Sequence, residues 1–193
     1  MRATMLRKLK TAGALCVLPL LFAPVVAAQT PPRVKKNVTR AERAEWREVL
    51  AWPESCEEAY EASYPEGETY GGLEFHWLAR GRYLVEVTCD GGGIQPSTIF
   101  MLYDTRHPRR ARPLKLKGFE DEREVRALTK FDPATRELFL MSKGDAMGTC
   151  GLFVRYSFRA ARPRVVEARR QDDCGRPDGT PDTSRWPRVR LKE

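Results

Sequence analysis

Four cysteines constrain the fold of this chain more than any other feature of its sequence: Cys56, Cys89, Cys150 and Cys174. A fifth, Cys16, lies in a leader that we expect to be removed. An even number of cysteines in an exported protein indicates two disulfides. No C-x-x-C or H-x-x-x-H spacing accompanies them, so a zinc site would need scattered ligands. Zinc ligation and a reactive thiol are the alternatives to disulfides.

The first 28 residues have the pattern of a secretory signal peptide. Basic residues without any acidic one come first, and an apolar run over residues 12–26 ends at small residues. This order predicts cleavage after Ala28 and a periplasmic or secreted protein. An uncleaved membrane anchor is the alternative, but Pro19 and Pro24 interrupt a run that is short for a bilayer span.

Beyond the leader, we expect a disordered lead-in over residues 29–40 and a single domain over residues 41–190. The lead-in (QTPPRVKKNVTR) is polar, basic and contains proline. No later apolar run reaches membrane length, so we expect no stable span after cleavage. Part of the formal net charge of +8 lies in the leader. The remaining excess is modest, and together with export it argues against a nucleic-acid ligand.

Two short helices are predicted at the start of the domain, over residues 41–51 and 55–63. Trp46, Val49 and Leu50 have the i, i+3, i+4 spacing of a buried helix face. Ser55, with a glutamate three residues later, predicts a capping box for the second helix. Cys56 should then face the core of the domain.

From residue 73 onward, apolar residues alternate with a period of two, which is typical of strands. The predicted strands cover residues 73–79, 82–89, 97–104, 114–116, 124–131, 135–142, 151–159 and 164–170. The predicted fold is therefore mainly β (α+β). It is an antiparallel meander of about seven to eight strands after a short helical N-terminal segment, with two disulfides.

Residues 143–151 (KGDAMGTCG) could form a catalytic loop, a metal knuckle or a turn between strands. The order of a phosphate-binding loop is absent, and a strand follows where a helix is needed. If the chain folds back near Arg162 and Pro163, Cys150 and Cys174 lie twelve residues on either side of the bend. Of three possible connectivities, this predicts Cys150–Cys174 and Cys56–Cys89, with a turn at 143–151.

The remaining candidates for catalysis give weak signals. His76 and His107 are the two histidines. His76 lies within a predicted strand and is expected to be structural, whereas His107 lies in a basic turn at the surface. Carboxylates for acid–base chemistry could be chosen from Asp90, Glu120, Asp121 and Asp145, but so many acids make a chance selection easy. We expect no catalytic residue, no metal ligand and no cofactor.

The segment over residues 106–117 is the best candidate binding surface because it is strongly basic. Its candidate binding residues, after Arg106, are Arg109, Arg110, Arg112, Lys115 and Lys117. Such a surface could bind an anionic component of the cell envelope, either lipid headgroups or a cell-wall polymer. The alternative is a solvated loop and an edge strand that is protected by charge.

Three segments resemble a family of exported bacterial proteins catalogued as domain of unknown function 1176. They are residues 82–91 (RYLVEVTCDG), residues 143–151 with their G-T-C-G ending, and residues 167–174 followed by Trp186 and Pro187. The similarity covers roughly residues 50–190. The resemblance implies a β-rich periplasmic domain and supplies no activity.

Taken together, these features predict a non-enzymatic envelope protein that binds an anionic component or another exported protein. Small exported lysozyme inhibitors with β-rich folds are an analogy for that role. The alternative is a carboxylate-dependent hydrolase that acts on an envelope polymer. Thiol redox chemistry is a third class and requires cysteines that are free or exchanging.

Overall fold

The computed structural model describes residues 33–34, 38–65, 69–160, 162–175 and 182–191. The expected signal peptide, residues 1–28, and most of the expected lead-in over 29–40 lie outside the described residues. Within them, two α-helices precede nine strands, and there are two short 3-10 helices, Pro108–Arg110 and Thr183–Arg185. The elements are α1 (Arg40–Leu50), α2 (Glu54–Ser63), β1 (Leu73–Ala79), β2 (Arg82–Asp90), β3 (Ser97–Asp104), β4 (Arg112–Pro113), β5 (Glu124–Arg126), β6 (Leu128–Asp132), β7 (Glu137–Lys143), β8 (Gly151–Ser157) and β9 (Arg164–Gln171).

All strand pairs are antiparallel, and they form two sheets. The first sheet has the order β1-β2-β3-β4, with β5 also paired to β3, and the second has the order β6-β7-β8-β9. The predicted mainly β class with a helical N-terminal segment is therefore confirmed. The sequence did not reveal that the strands divide between two sheets.

The chain passes from the first sheet to the second at Ala127. The predicted single strand over 124–131 is wrong, because β5 and β6 are separate strands in different sheets. Ala127 is buried, and its N–H donates to the carbonyl of Pro96 at 3.1 Å. An unbroken run of β-prone residues does not show where a chain leaves one sheet for the next.

The predicted strand over 114–116 is also wrong. Pairing with β3 occurs earlier, at Arg112 and Pro113. Leu114 and Leu116 are buried in the core, and their N–H groups donate to the carbonyls of Phe100 and Glu122. The alternation of apolar and basic residues in this segment is therefore explained by burial of the two leucines, and the segment is not part of a strand.

The first helix, and not the second, begins with a capping box. The Thr39 hydroxyl accepts from the Glu42 N–H, and the Glu42 carboxylate accepts from the Thr39 N–H at 2.9 Å. The predicted box at Ser55 is wrong, since α2 begins after Pro53 and has no side-chain cap. A proline with its fixed φ starts the helix early enough to place Ser55 inside the first turn.

The first sheet is the middle layer of the domain and is buried on both faces. Val85 and Val87 of β2 pack with Trp46 and Leu50 of α1 in one core. Leu84, on the opposite face of the same strand, packs in a second core with residues of the second sheet. Residues of the second core from the second sheet include Leu138, Leu140, Leu152, Val154, Tyr156 and Ala168.

The two disulfides have the predicted pairing, one joining the helical layer to the first sheet and one closing the β8–β9 hairpin of the second sheet. Cys56 of α2 joins Cys89 of β2 with a Cα–Cα distance of 4.5 Å, and Cys150 joins Cys174 at 4.8 Å. A bulge at Val166 of β9 shifts the register of the β8–β9 hairpin without separating the second pair. Disulfides indicate an oxidising, extracytoplasmic environment. Among the described residues, no helix is long and apolar enough to cross a membrane.

Candidate functional site

Residues 143–151 form the turn between β7 and β8, as the sequence predicts. Gly148 and Gly151 have φ values of 73° and 136°, which side chains with a Cβ rarely adopt. The Asp145 carboxylate accepts from the Thr149 N–H at 2.8 Å and from its hydroxyl. The hydroxyl bond in particular holds the pKa of Asp145 below its ordinary value. Cys150 then closes the turn through its disulfide.

A cleft of about 710 Å³ opens beside this turn, between the ends of the two sheets. This volume lies within the usual range of sites for small ligands. Both sheets and the Cys150–Cys174 disulfide contribute to its walls. Lining residues with polar side chains include Gln95, Ser97, Glu124, Arg126, Lys143 and Arg170.

Several of the polar side chains that line the cleft are held by hydrogen bonds. The Gln95 side-chain oxygen accepts from the Lys143 N–H at 2.8 Å, which ties the loop before β3 to β7. The Ser97 hydroxyl donates to the Glu124 carboxylate at 2.6 Å. Because the Gln95 bond joins the two sheets and the Ser97 bond joins two strands of the first sheet, the cleft is formed before any ligand arrives.

The four carboxylates considered for acid–base chemistry do not lie together in the cleft. Asp90 accepts from the Gly92 N–H at 2.8 Å, and this bond contributes most to lowering the pKa of Asp90. Asp145 belongs to the turn described above. Glu120 and Asp121 both line the cleft, but Asp121 also accepts from two backbone N–H groups.

The basic strip, defined as Arg109, Arg110, Arg112, Lys115 and Lys117, lies along the β4 edge of the first sheet. All five side chains are exposed. Lys115 and Lys117 alternate with two leucines that are buried in the core, which turns the lysines toward solvent. Within the part of the chain that the structure describes, none of the five forms an ion pair.

Arg106 precedes the basic strip and differs from it in having an acidic partner. Its guanidinium donates to the Asp104 carboxylate at 2.7 Å. This bond is the main reason that the pKa of Asp104 is lowered to about 2. The positive charge of Arg106 is therefore compensated locally.

The two histidines lie in different environments. His76 of β1 lies between the sheets, with Nε2 at 2.9 Å from Glu86 Oε1 and its ring stacked on Phe131 at 4.5 Å between centroids. His107 is exposed beside the basic strip, where its backbone joins the turn after Asp104. Among the residues that the structure describes, neither histidine forms a hydrogen bond with a serine or cysteine side chain that could act as a nucleophile.

The helical layer contains a buried charge that the sequence patterns above did not indicate. Arg43 is 1% exposed, its Nε donates to Glu57 at 3.0 Å, and its guanidinium lies 3.7 Å from the Tyr60 ring centroid. The sequence feature that could have indicated this burial is the helical spacing of Arg43. It lies three residues before Trp46 and seven before Leu50, on the buried face of α1.

Residues 12–191 match the family described as "Protein of unknown function (DUF1176)". The chain belongs to this family. Both disulfides and every helix and strand named above lie within the residues that match the DUF1176 family.

Similarity to individual proteins is more limited. The uncharacterized protein YpfG of Escherichia coli (strain K12) is 27% identical over 115 residues, which are 57% of this chain and 32% of YpfG. The alignment therefore covers about a third of that relative. No solved structure matches.

Proposed function

We propose that this DUF1176 protein is an exported, non-enzymatic binding module of the cell envelope, and that its basic strip binds an anionic envelope component. The observation that carries the proposal is a line of five exposed cations without ion pairs among the described residues. The signal-peptide pattern of residues 1–28 and the two disulfides support export.

Several other cationic positions on the surface have acidic partners, which the basic strip lacks among the described residues. Arg47, for example, forms an ion pair with Glu54, and Arg126 pairs with Asp90 at 3.2 Å. No acidic residue occurs between positions 105 and 117. The positive potential of the strip is therefore available to an external anion.

The backbone of the strip is fixed before binding. Arg112 lies opposite Leu102 in the β3–β4 pair, and Leu114 and Leu116 anchor the next residues in the core. Because these positions are already ordered, binding causes a smaller loss of conformational entropy. A polyanion that contacts several of the cations at once would gain from each contact.

The alternative explanation of the strip is protection of the sheet edge. Charged residues on an edge strand prevent pairing with a second chain. Under that explanation, neutralising the cations would produce self-association without changing affinity for anions. Binding and oligomeric state must therefore be measured on the same variants.

The test compares two triple variants that remove the same charge. Arg112→Gln/Lys115→Gln/Lys117→Gln changes the strip, and Arg80→Gln/Arg162→Gln/Arg164→Gln is the control at exposed positions elsewhere. Sedimentation with phosphatidylglycerol vesicles should show salt-sensitive binding that the strip variant loses and the control retains. Phosphatidylcholine vesicles should not bind. Isolated anionic cell-wall polymer serves as the second probe.

Two results would contradict this proposal. One is an equal loss of binding in both triple variants, which would show that only net charge matters. The other is no binding to either anionic probe, and self-association of the strip variant alone would then favour edge protection.

The hydrolase alternative has less support from the geometry. It needs two carboxylates positioned across a substrate. Of the four that the sequence suggested, only Glu120 lines the cleft without a hydrogen bond or ion pair among the described residues. The cleft is therefore better suited to binding a ligand than to acid–base catalysis by two carboxylates.

A further inference from the structure

We propose that Glu74, His76 and Glu86 form a binding site for a divalent transition-metal ion. One carboxylate oxygen from each glutamate and one imidazole nitrogen lie within 4.8 Å of one another. This site is separate from the basic strip and from the cleft, and it goes beyond the binding function proposed above.

The register of the first two strands brings the three side chains together. Glu74 of β1 lies directly opposite Glu86 of β2. His76 is two residues after Glu74, so both project from the same face of β1. That face is turned toward the second sheet, because Leu78 farther along the strand is buried in the core between the sheets.

The electrostatics of this arrangement favour a cation. Like charges directly opposite each other on neighbouring strands repel. Glu86 is 8% exposed, and a carboxylate in such a position needs compensating charge as well as hydrogen bonds. Among the described residues, no lysine or arginine forms an ion pair with Glu74 or Glu86. Within the described part of the chain, the His76 imidazole is therefore the only basic group paired with either glutamate, and its partner is Glu86.

The neighbouring strand of the second sheet holds two of the three ligands in place. The Thr129 hydroxyl of β6 donates to Glu86 Oε2 at 3.1 Å, while His76 Nε2 faces Glu86 Oε1. Phe131, also on β6, stacks on the His76 ring. Contacts of this kind orient ligating side chains before the ion binds.

The ligand set selects a class of metal. One imidazole nitrogen with two carboxylates suits Zn²⁺ and its first-row neighbours, whereas Mg²⁺ and Ca²⁺ prefer sets made of oxygen atoms alone. In the bound form, the imidazole carries its proton on Nδ1, so the lone pair of Nε2 faces the ion. Three protein ligands leave a coordination position for water.

A second group of side chains at metal-binding distances does not carry the same inference. It consists of Asp145, Cys150 and Cys174. Both sulfurs are already joined in a disulfide, so neither is a thiolate that can bind a metal.

The test is isothermal titration of Zn²⁺ into the untagged, exported protein after treatment with a chelator, since a histidine tag would bind zinc itself. We expect one Zn²⁺ per chain and no comparable binding of Mg²⁺ or Ca²⁺. His76→Ala should lower the affinity by about 100-fold or more, and Thr129→Val by about tenfold, because Thr129 only orients a ligand.

The second histidine provides the matched control. His107→Ala removes the exposed histidine of the basic turn and should leave zinc affinity unchanged. If His76→Ala does not fold, Glu74→Gln decides the matter, because Glu74 is exposed and the change should weaken zinc binding while the protein stays folded.

Three results would overturn the proposal. The first is absence of zinc binding to the wild-type protein, and the second is loss of zinc binding in His107→Ala. The third is wild-type zinc affinity in the two single variants Glu74→Gln and His76→Ala.

Discussion

Arg43 shows how one buried charge is accommodated in the helical layer. Burial by itself would raise the pKa of Glu57, but hydrogen bonds from Arg43 and Trp52 outweigh that effect and lower it. Arg43 Nη1 also donates to the carbonyl of Gly71 at 3.1 Å. The ion pair therefore connects α1, α2 and the segment before β1.

Removing the cation alone should destabilise the fold strongly. Arg43→Met leaves the Glu57 charge without its partner, and we expect a loss of about 3–5 kcal/mol in the free energy of unfolding. Arg43→Met/Glu57→Leu should be less destabilised than the single variant, because no uncompensated charge remains. Urea unfolding of both variants provides the comparison, and a double variant that is less stable than the single would refute this explanation.

Gly151 is a residue whose replacement should disturb the turn before β8. It has φ of 136°, and a Cβ there would collide with the carbonyl oxygen of Ser142. Gly151→Ala should cost about 1–3 kcal/mol of stability in chemical denaturation. Gly93→Ala is the control, because a Cβ at Gly93 has no atom within 4 Å. Equal stability of the two variants would show that the turn is not conformationally constrained.

Among the elements, the helix starts can be tested directly. Thr39→Ala removes the side-chain acceptor of the α1 capping box, and we expect a loss of about 1 kcal/mol. Ser55→Ala should change stability by less than about 0.5 kcal/mol, since Ser55 does not cap α2. Thermal or urea unfolding measures both, and a larger effect at Ser55 would restore the sequence-based prediction.

The accuracy of the strand predictions followed from how each strand is buried. The bounds of β1 and β3 agree with the sequence, because one has clear alternation and the other is nearly apolar throughout. Residues 114–116 and 124–131 were misassigned. Alternating or β-prone residues indicate burial and β-propensity, but they do not indicate with which strand a segment pairs. The partner of a strand depends on distant segments, which a local pattern does not contain.

For the whole molecule, several carboxylates have lowered pKa values in the folded state. They are Glu57, Asp90, Asp104, Asp132, Asp145, Glu167 and Asp182. The folded chain therefore binds fewer protons than the unfolded chain in mild acid. Their stabilising effect is complete above the unfolded values of 3.8 and 4.5 and is lost as pH falls through the folded values, which reach about 2 at Asp104.

Stability should accordingly fall as the solution is acidified. We expect the urea midpoint to be level near neutrality and to decrease progressively below about pH 4.5. Asp104→Asn should make this decrease shallower, because the variant lacks the carboxylate that Arg106 stabilises. A midpoint that does not change between pH 6 and pH 3 would contradict the proposed role of these carboxylates.

Parts of the candidate site could be predicted from the sequence, and parts could not. The pairing of Cys150 with Cys174 followed from symmetry about one hairpin, and the basic strip followed from a local run of charge. The cleft depends on a contact between the sheets, in which Gln95 meets Lys143, and so does the support of the cluster around His76, in which Thr129 meets Glu86. Such contacts join residues more than 40 positions apart, beyond the reach of local patterns.

We infer that this is an exported chain held together by two disulfides, and the decisive measurement is the intact mass of the exported protein. The protein is alkylated with and without prior reduction, and its disulfide-linked peptides are mapped. We predict loss of residues 1–28, no alkylation before reduction, four adducts after it, and a peptide that joins Cys150 to Cys174. Retention of the leader, thiols that react before reduction, or a Cys89–Cys150 peptide would contradict the claim.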